Sequence, residues 1–194
     1  MSIPGSANPL LFASVAAEAA AFQIDRSLRF NSADSAYLSR TPSSSSNRKT
    51  WTWAGWVKRS KLGVLQQIFG AGQQTTNDGV YTYVRIDSND KLSYRQWTDS
   101  VSFDAQLTST AVFRDTSAWF HLVFVYDSTE STDADRVKIY VNGSQLTAFD
   151  SNDYPGLNSQ AQINNTKLHT IGSQNDGGTQ YSYFDGYLAD VHFI

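Results

Sequence analysis

The chain has 194 residues, 40% hydrophobic and 13% aromatic, enough apolar mass for one main domain to bury a sizeable core. A net charge of −3 and a pI near 5.5, with Lys and Arg scattered along the chain, exclude the basic footprint that a nucleic-acid backbone requires. Cysteine is absent, which excludes disulfides and thiolate metal sites, and no apolar run reaches the roughly 18 residues of a membrane-spanning helix.

The first 26 residues read as a leader. Residues 10–22 (LLFASVAAEAAAF) are alanine-rich like the core of a signal peptide, but no Lys or Arg precedes them and Glu18 interrupts them, which argues against secretion by that route. They suit a short helix better, with Ser14 as its N-cap and the alanines favouring the helical state. So short a helix is marginal alone and must dock, with another chain as one partner. Leu10, Leu11, Phe12 and Phe22 are its apolar anchors, so the leader is expected to be a docking or oligomerisation segment.

From residue 27 to 194 the pattern changes to short apolar segments separated by Gly, Asn, Asp and Ser, as expected of strands joined by turns. Strands are predicted at 27–31, 36–40, 50–60, 65–72, 80–87 and 91–98, then at 119–127, 136–142, 144–149, 167–173 and 184–194. Within 80–87, Tyr81, Tyr83 and Arg85 share one face, while Val80, Thr82, Val84 and Ile86 form the expected core face. Asp87, Ser88, Asn89 and Asp90 then supply a turn into the next strand. In WFHLVFVYD (119–127) both faces are apolar, which predicts a central strand covered twice, by an overlying loop or by a partner. The strongest local signal is IYVNGSQL, where Asn142 and Gly143 provide the positive φ angles of a two-residue hairpin. Taken together, the segments predict an all-β, two-sheet antiparallel jelly-roll sandwich behind a partly helical leader.

The order of these segments resembles the concanavalin A-like and laminin G-like jelly rolls. The resemblance rests on SLRFNSADSAYLSR, TWTWAGWVK, Trp119 and His121 of WFHLVFVYD, Tyr140 to Gly143, KLHTIGS, and the closing Phe184, Asp185, Gly186 and Asp190. It implies that the first and last strands pair side by side, and that the native protein continues beyond Ile194. The Ala-rich leader, FQIDRSLRFNSADSAYLSRT and VHFI are similar to jelly-roll domains of bacteriophage tail fibres and other virion proteins. That resemblance implies a structural component of a virion tail, exposed outside the cell in the particle. Its partners are then other tail proteins and further copies of itself, with a trimer implied by fibre architecture and not by spacing.

The same fold carries glycoside hydrolases, which need two carboxylates about 5 Å apart on one strand face. Only two Glu occur: Glu18 lies in the leader and Glu130 in a polar loop, with Asp133 and Asp135 the remaining acid pair and more readily a solvated turn. His121, His169 and His192 all lie inside strands, and no Ser sits in a Gly-flanked elbow, so nucleophilic catalysis is not expected either. Gly70 and Gly72, like Gly177 and Gly178, are not followed by a helix pattern and make no phosphate loop. Calcium, which the resemblance associates with loop Asp residues, has candidate ligands in Asp78, Asp133, Asp135, Asp153 and Asp176, although Asp is also an ordinary turn residue.

Glycan binding is the alternative function, because sugar faces stack on aromatic rings while their hydroxyls seek planar polar groups. Three places mix those residues: Trp97 with Asp99, Tyr154 with Asn158, and the loop holding Asn175, Asp176, Tyr181 and Tyr183. The expectation is therefore virion assembly, alternatively recognition of a cell-surface glycan, and lastly hydrolysis by an unrecognised acid pair.

Overall fold

The computed structural model describes residues 23–74, 79–98 and 104–194. The strands in chain order are β1 (Leu28–Phe30), β2 (Leu38–Arg40), β3 (Thr50–Arg59), β4 (Gln66–Gln73), β5 (Val80–Ile86), β6 (Lys91–Trp97), β7 (Ala105–Val112) and β8 (Phe120–Asp127). They continue with β9 (Val137–Val141), β10 (Ser144–Gln145), β11 (Phe149–Asp153), β12 (His169–Ile171), β13 (Gln174–Asp176), β14 (Thr179–Tyr181) and β15 (Gly186–Phe193). Two large antiparallel sheets result, one of six strands in the order β1-β15-β3-β8-β9-β10 and one of seven in the order β11-β7-β6-β5-β4-β12-β2, and β13 and β14 pair as a separate two-stranded sheet. The only helical turns among the described residues are 3-10 turns at Ser32–Asp34 and Asp133–Asp135, and no helix there is long and apolar enough to cross a membrane. The all-β jelly-roll sandwich is as expected, while the leader with Leu10, Leu11, Phe12 and Phe22 lies outside the described residues.

Period-two alternation builds the core. On β3 every second side chain from Trp51 to Arg59 is buried, and Phe120, Leu122, Phe124 and Tyr126 do the same on β8. Trp53 of the six-stranded sheet stacks on Phe69 of the other at 6.3 Å, and Trp51 lies parallel to Tyr126 at 5.4 Å. The terminal strands pair as the resemblance implies, with Leu28 opposite Leu188 and Phe30 opposite Gly186. Asp185 locks that seam by accepting hydrogen bonds from the Ser32 amide at 3.2 Å and hydroxyl at 2.7 Å. At the predicted hairpin Asn142 and Gly143 both have positive φ, 51° and 79°, and Ser144 pairs with Val141 across the turn.

Four expectations need correction. Residues 105–112 form β7, which was not predicted: its inward positions are Ala105, Leu107 and Ser109, too small and polar for the strand signal. The segment 144–149 is not one strand, because β10 ends at Gln145 and the chain crosses to the other sheet, where β11 pairs with β7. Residues 173–183 are not a simple loop but the β13–β14 hairpin, turning at Gly177 and Gly178, which both have positive φ. Finally, β8 is central as expected, but no loop among the described residues buries its outer face, where His121, Val123 and Val125 stay half-exposed between β3 and β9.

A buried ion pair ties the two sheets. Arg59 at the end of β3 is fully buried and reaches Asp90, in the β5–β6 turn, at 2.9 Å. Asp90 also accepts from the Gly63 amide at 2.8 Å and from Arg114 Nε at 3.0 Å. Burial works to raise the Asp90 pKa, and the Gly63 amide, Arg114 and Arg59 more than offset it, so the carboxyl is held below its ordinary value.

Candidate functional site

The alternation that sends Val84 and Ile86 of β5 into the core turns Tyr81, Tyr83 and Arg85 to the opposite face of the seven-stranded sheet. Register aligns their neighbours. On β6, Trp97 stands opposite Tyr81, Arg95 opposite Tyr83 and Ser93 opposite Arg85. On β4, Gly70 stands opposite Tyr83 and Gln67 opposite Arg85. A Cβ at Gly70 would run into the Tyr83 ring and the Gln67 amide, so glycine here is what lets that ring lie over β4. The Tyr83 and Tyr81 rings stack at 4.5 Å and 15°, and Tyr81 continues to Trp97 at 5.9 Å, forming an aromatic row of three.

The β13–β14 hairpin borders this row and is fastened to it through polar groups. The Tyr83 hydroxyl donates to the Asn175 carbonyl at 2.9 Å, and Asn175 Nδ2 donates to the Gly72 carbonyl at 3.3 Å. Gln174 Nε2 donates to Gln74 Oε1 at 2.6 Å and to the Tyr181 hydroxyl at 2.5 Å. Burial pushes the Tyr83 phenol far up and Tyr181 up to about 12, so both remain neutral hydrogen-bonding groups at physiological pH. Arg85 is lowered to about 10, first by burial and then by the neighbouring Arg95 charge, and is still a cation at neutral pH. Phenols, amides and guanidiniums beside an aromatic row are groups for holding a polar ligand, and among the described residues this face presents no nucleophile–base pair or carboxylate pair for bond cleavage.

The fold brings together Trp97, Asn175 and Tyr181 of the predicted glycan-binding residues, while Asp176 ends β13 exposed beside the hairpin turn. Tyr183 lies apart, tilted against Tyr37 at 6.3 Å, and Asp99 lies outside the described residues. Tyr154 and Asn158 belong to another end of the molecule. Tyr154 is half-buried against the core, and Asn158 accepts from Lys49 Nζ at 3.1 Å in a left-handed conformation. Of the calcium candidates, Asp78 lies outside the described residues, Asp133 caps the Ala134 amide, Asp135 pairs with Lys138 and Asp153 is exposed on β11. No group of three or more His, Cys, Asp or Glu gathers among the described residues. Glu130 is exposed in its loop, and Glu18 falls outside the described residues. Tyr81, Tyr83, Arg85, Arg95, Gln67 and Gln174 were not singled out from sequence as a site. The facing of Tyr81, Tyr83 and Arg85 was readable, but not what lies over them.

A second depression, of about 500 Å³, opens at the sandwich edge between Leu38, Arg40, Phe69, His169, Ile171 and Phe193. His169 is held neutral there: Nε2 accepts from the Asn164 amide at 3.0 Å, which leaves the proton on Nδ1 to donate to the Lys167 carbonyl at 2.9 Å. Burial lowers its pKa, Arg40 adds to the lowering and the Lys167 carbonyl opposes it. Because the folded-state pKa lies below the unfolded value, the contribution is complete above the ordinary imidazole range and is lost as pH falls below it. Thermal melts should therefore drop between pH 7 and pH 5, and His169→Gln should flatten that decline; equal slopes for both proteins would overturn the assignment.

Residues 31–194 match the family described as the concanavalin A-like lectin/glucanases superfamily. The chain belongs to this superfamily. No curated protein sequence matches it significantly. The concanavalin A-like domain is similar in fold to the Ruminococcus gnavus IT-sialidase CBM40 bound to α2,3-sialyllactose, at 14% identity and a TM-score of 0.55, covering 75% of each chain. It is similar to NanB sialidase of Streptococcus pneumoniae at 17% identity and a TM-score of 0.60, covering 87% of this chain and 25% of that one. The LG4-5 domains of the mouse laminin α1 chain match at 12% identity and a TM-score of 0.55, covering 85% and 40%. At these identities the likeness is one of fold.

Proposed function

We propose that this concanavalin A-like domain is a non-catalytic glycan-binding module that uses the outer face of its seven-stranded sheet. The observation that carries the reading is Trp97, a partly exposed ring at the end of a row whose other members, Tyr81 and Tyr83, are buried, bordered by the polar β13–β14 hairpin. Aromatic faces with adjacent amides and hydroxyls match the two surfaces of a sugar ring. The Ruminococcus gnavus module, which shares this fold, is described with sialyllactose bound, and that favours the same use of the sandwich here.

Binding to a glycan array, followed by titration of the best hits, tests the proposal. Trp97→Ala should weaken binding by about tenfold or more, equivalent to about 1.4 kcal/mol for loss of an aromatic anchor. Tyr154→Ala should spare binding and instead lower stability by about 1–2 kcal/mol, because its ring packs against the core. The proposal fails if no glycan is retained or if the two variants lose binding equally.

A second reading makes the chain a structural component of a virion tail that assembles through its leader, with host glycan attachment as a compatible task. Its support is an apolar edge: Leu28, Leu38, Phe193 and Ile194 are exposed, and Arg26, Ser27 and Leu28, just after the leader, line a groove with Leu38 and Ile171. Sedimentation of the full chain should give an oligomer that removal of residues 1–26 converts to monomer; a monomeric full chain at high concentration counts against it.

A further inference from the structure

The two large sheets do not end together on the side of β1 and β2. β1 pairs only with Gly186, Tyr187 and Leu188 of β15, so beyond the bulge between Ala189 and His192 that strand is itself the edge of the six-stranded sheet. The seven-stranded sheet runs on through β12 to β2. Register sets Phe69, Ile171 and Leu38 side by side across β4, β12 and β2, and Ala71, His169 and Arg40 likewise, on the face that Phe69 turns to the core. Alongside Phe193 the six-stranded sheet offers no strand beyond β15 to cover that face, and the depression of about 500 Å³ is the result. A groove of about 360 Å³ continues it, with Leu38 and Ile171 lining both.

The trench so formed is open, apolar and positively charged in one part. Leu28, Leu38 and Phe193 border it at 49%, 50% and 42% exposure, so a ligand reaches them without displacing the fold. Its neutral polar groups are largely spent: His169 uses both ring nitrogens, Asn164 Nδ2 donates to the Asn47 carbonyl at 2.6 Å and Thr170 Oγ1 to the Ser173 carbonyl at 2.7 Å. Arg40 is exposed and makes no ion pair among the described residues, and no Asp or Glu lines the depression beside it. In the adjoining groove the charged residues are Arg26 and Asp190, which are of opposite sign. We infer that this trench binds a fatty-acid-like carboxylate, its hydrocarbon chain laid along Ile171, Leu38 and Leu28 and its head on Arg40. An elongated apolar trench of this size suits a chain that asks for no hydrogen bonds along its length, and the guanidinium fork matches the two carboxylate oxygens.

Calorimetric titration of the full chain with decanoate, hexanoate and decanol tests this. Decanoate should bind about tenfold or more tightly than decanol, through its charge-assisted bond, and hexanoate far more weakly, since each lost methylene costs a factor of roughly four in affinity. Arg40→Gln should bring decanoate level with decanol and melt with the parent, because the cation removed is exposed and has no ion pair. Leu38→Asp should abolish binding of both ligands, whereas Leu157→Asp, at an exposed leucine outside the trench, should leave both unchanged. Should Leu38→Asp not fold, Leu38→Ala should weaken both by about tenfold. Equal affinity for decanoate and decanol, a decanoate preference that survives Arg40→Gln, or equal losses in the Leu38 and Leu157 variants overturns the inference. Binding that appears only when Leu11 and Phe12 are replaced by serine assigns the trench to the chain's own leader and overturns it. An oligomer that Leu38→Asp dissociates, with no decanoate bound by the parent, assigns the trench to a second copy and also overturns it, as does no binding at all. The trench shares no residue with the proposed glycan-binding face, so none of these outcomes bears on that proposal.

Discussion

Asp90→Asn should lower the unfolding free energy by about 3–5 kcal/mol, the cost of leaving a buried charge without its partner. The charge left behind is Arg59, which has no exposed side-chain surface and retains only the Phe113 carbonyl and the polar end of a turn as company. Asparagine is the informative replacement because Asp90 has a φ of 65°, which Asn tolerates, and because its amide oxygen can still accept from Gly63. The loss then reports the charge and not backbone strain. Against a total stability of about 5–15 kcal/mol, such a loss removes a third or more of the margin. Combining it with Arg59→Met should recover much of it, since apolar groups in place of a buried pair are often neutral. The Asp90 contribution is present above the ordinary carboxylate pKa and fades as pH falls through the lower folded value. Urea unfolding of the two single variants and the double variant checks all of this; an Asp90→Asn protein within about 1 kcal/mol of the parent would sink the claim that this pair pins the sheets together.

Trp53→Ala should cost about 3–5 kcal/mol, by loss of apolar burial and by the cavity left behind. Trp53 has no exposed surface, stacks on Phe69 across the sandwich and abuts Gly55 in its own strand. Both sheets therefore lose a contact at once, and neither can collapse onto the gap without shifting paired strands on either side. Trp56, three residues along the same strand, faces outward against His121 with rings 5.1 Å apart, and its truncation should cost far less. Unfolding of both variants in guanidinium, with the dependence on denaturant unchanged, measures the difference; equal losses would mean that the inward and outward faces of β3 are wrongly assigned.

These expectations depend unequally on what the amino-acid order discloses. The hairpin at Asn142 and Gly143 was readable because its signal is local, two residues that accept positive φ between two alternating strands. The facing of Tyr81, Tyr83 and Arg85 was readable for the same reason, as a strand's two sides follow from period two alone. β7 was not, because Ala105, Leu107 and Ser109 give too faint an alternation, and the strand is sustained by pairing with β6 and β11. Nor was the spread of the candidate aromatics: Tyr154 and Tyr181 looked alike in polar loops, yet one packs on the core and the other borders the aromatic row.

By itself the sequence determined the class of fold, most of the strands and which side of each strand is apolar, all of which rest on propensities and spacings within a few residues. Only the tertiary structure decided that Arg59 meets Asp90 across the sandwich, that a hairpin some 90 residues further along the chain fastens over Tyr83, and that Arg85 is buried near Arg95. Charge compensation and burial depend on which distant segments come to share a surface, and that is settled by the packing of two sheets, not by local order along the chain.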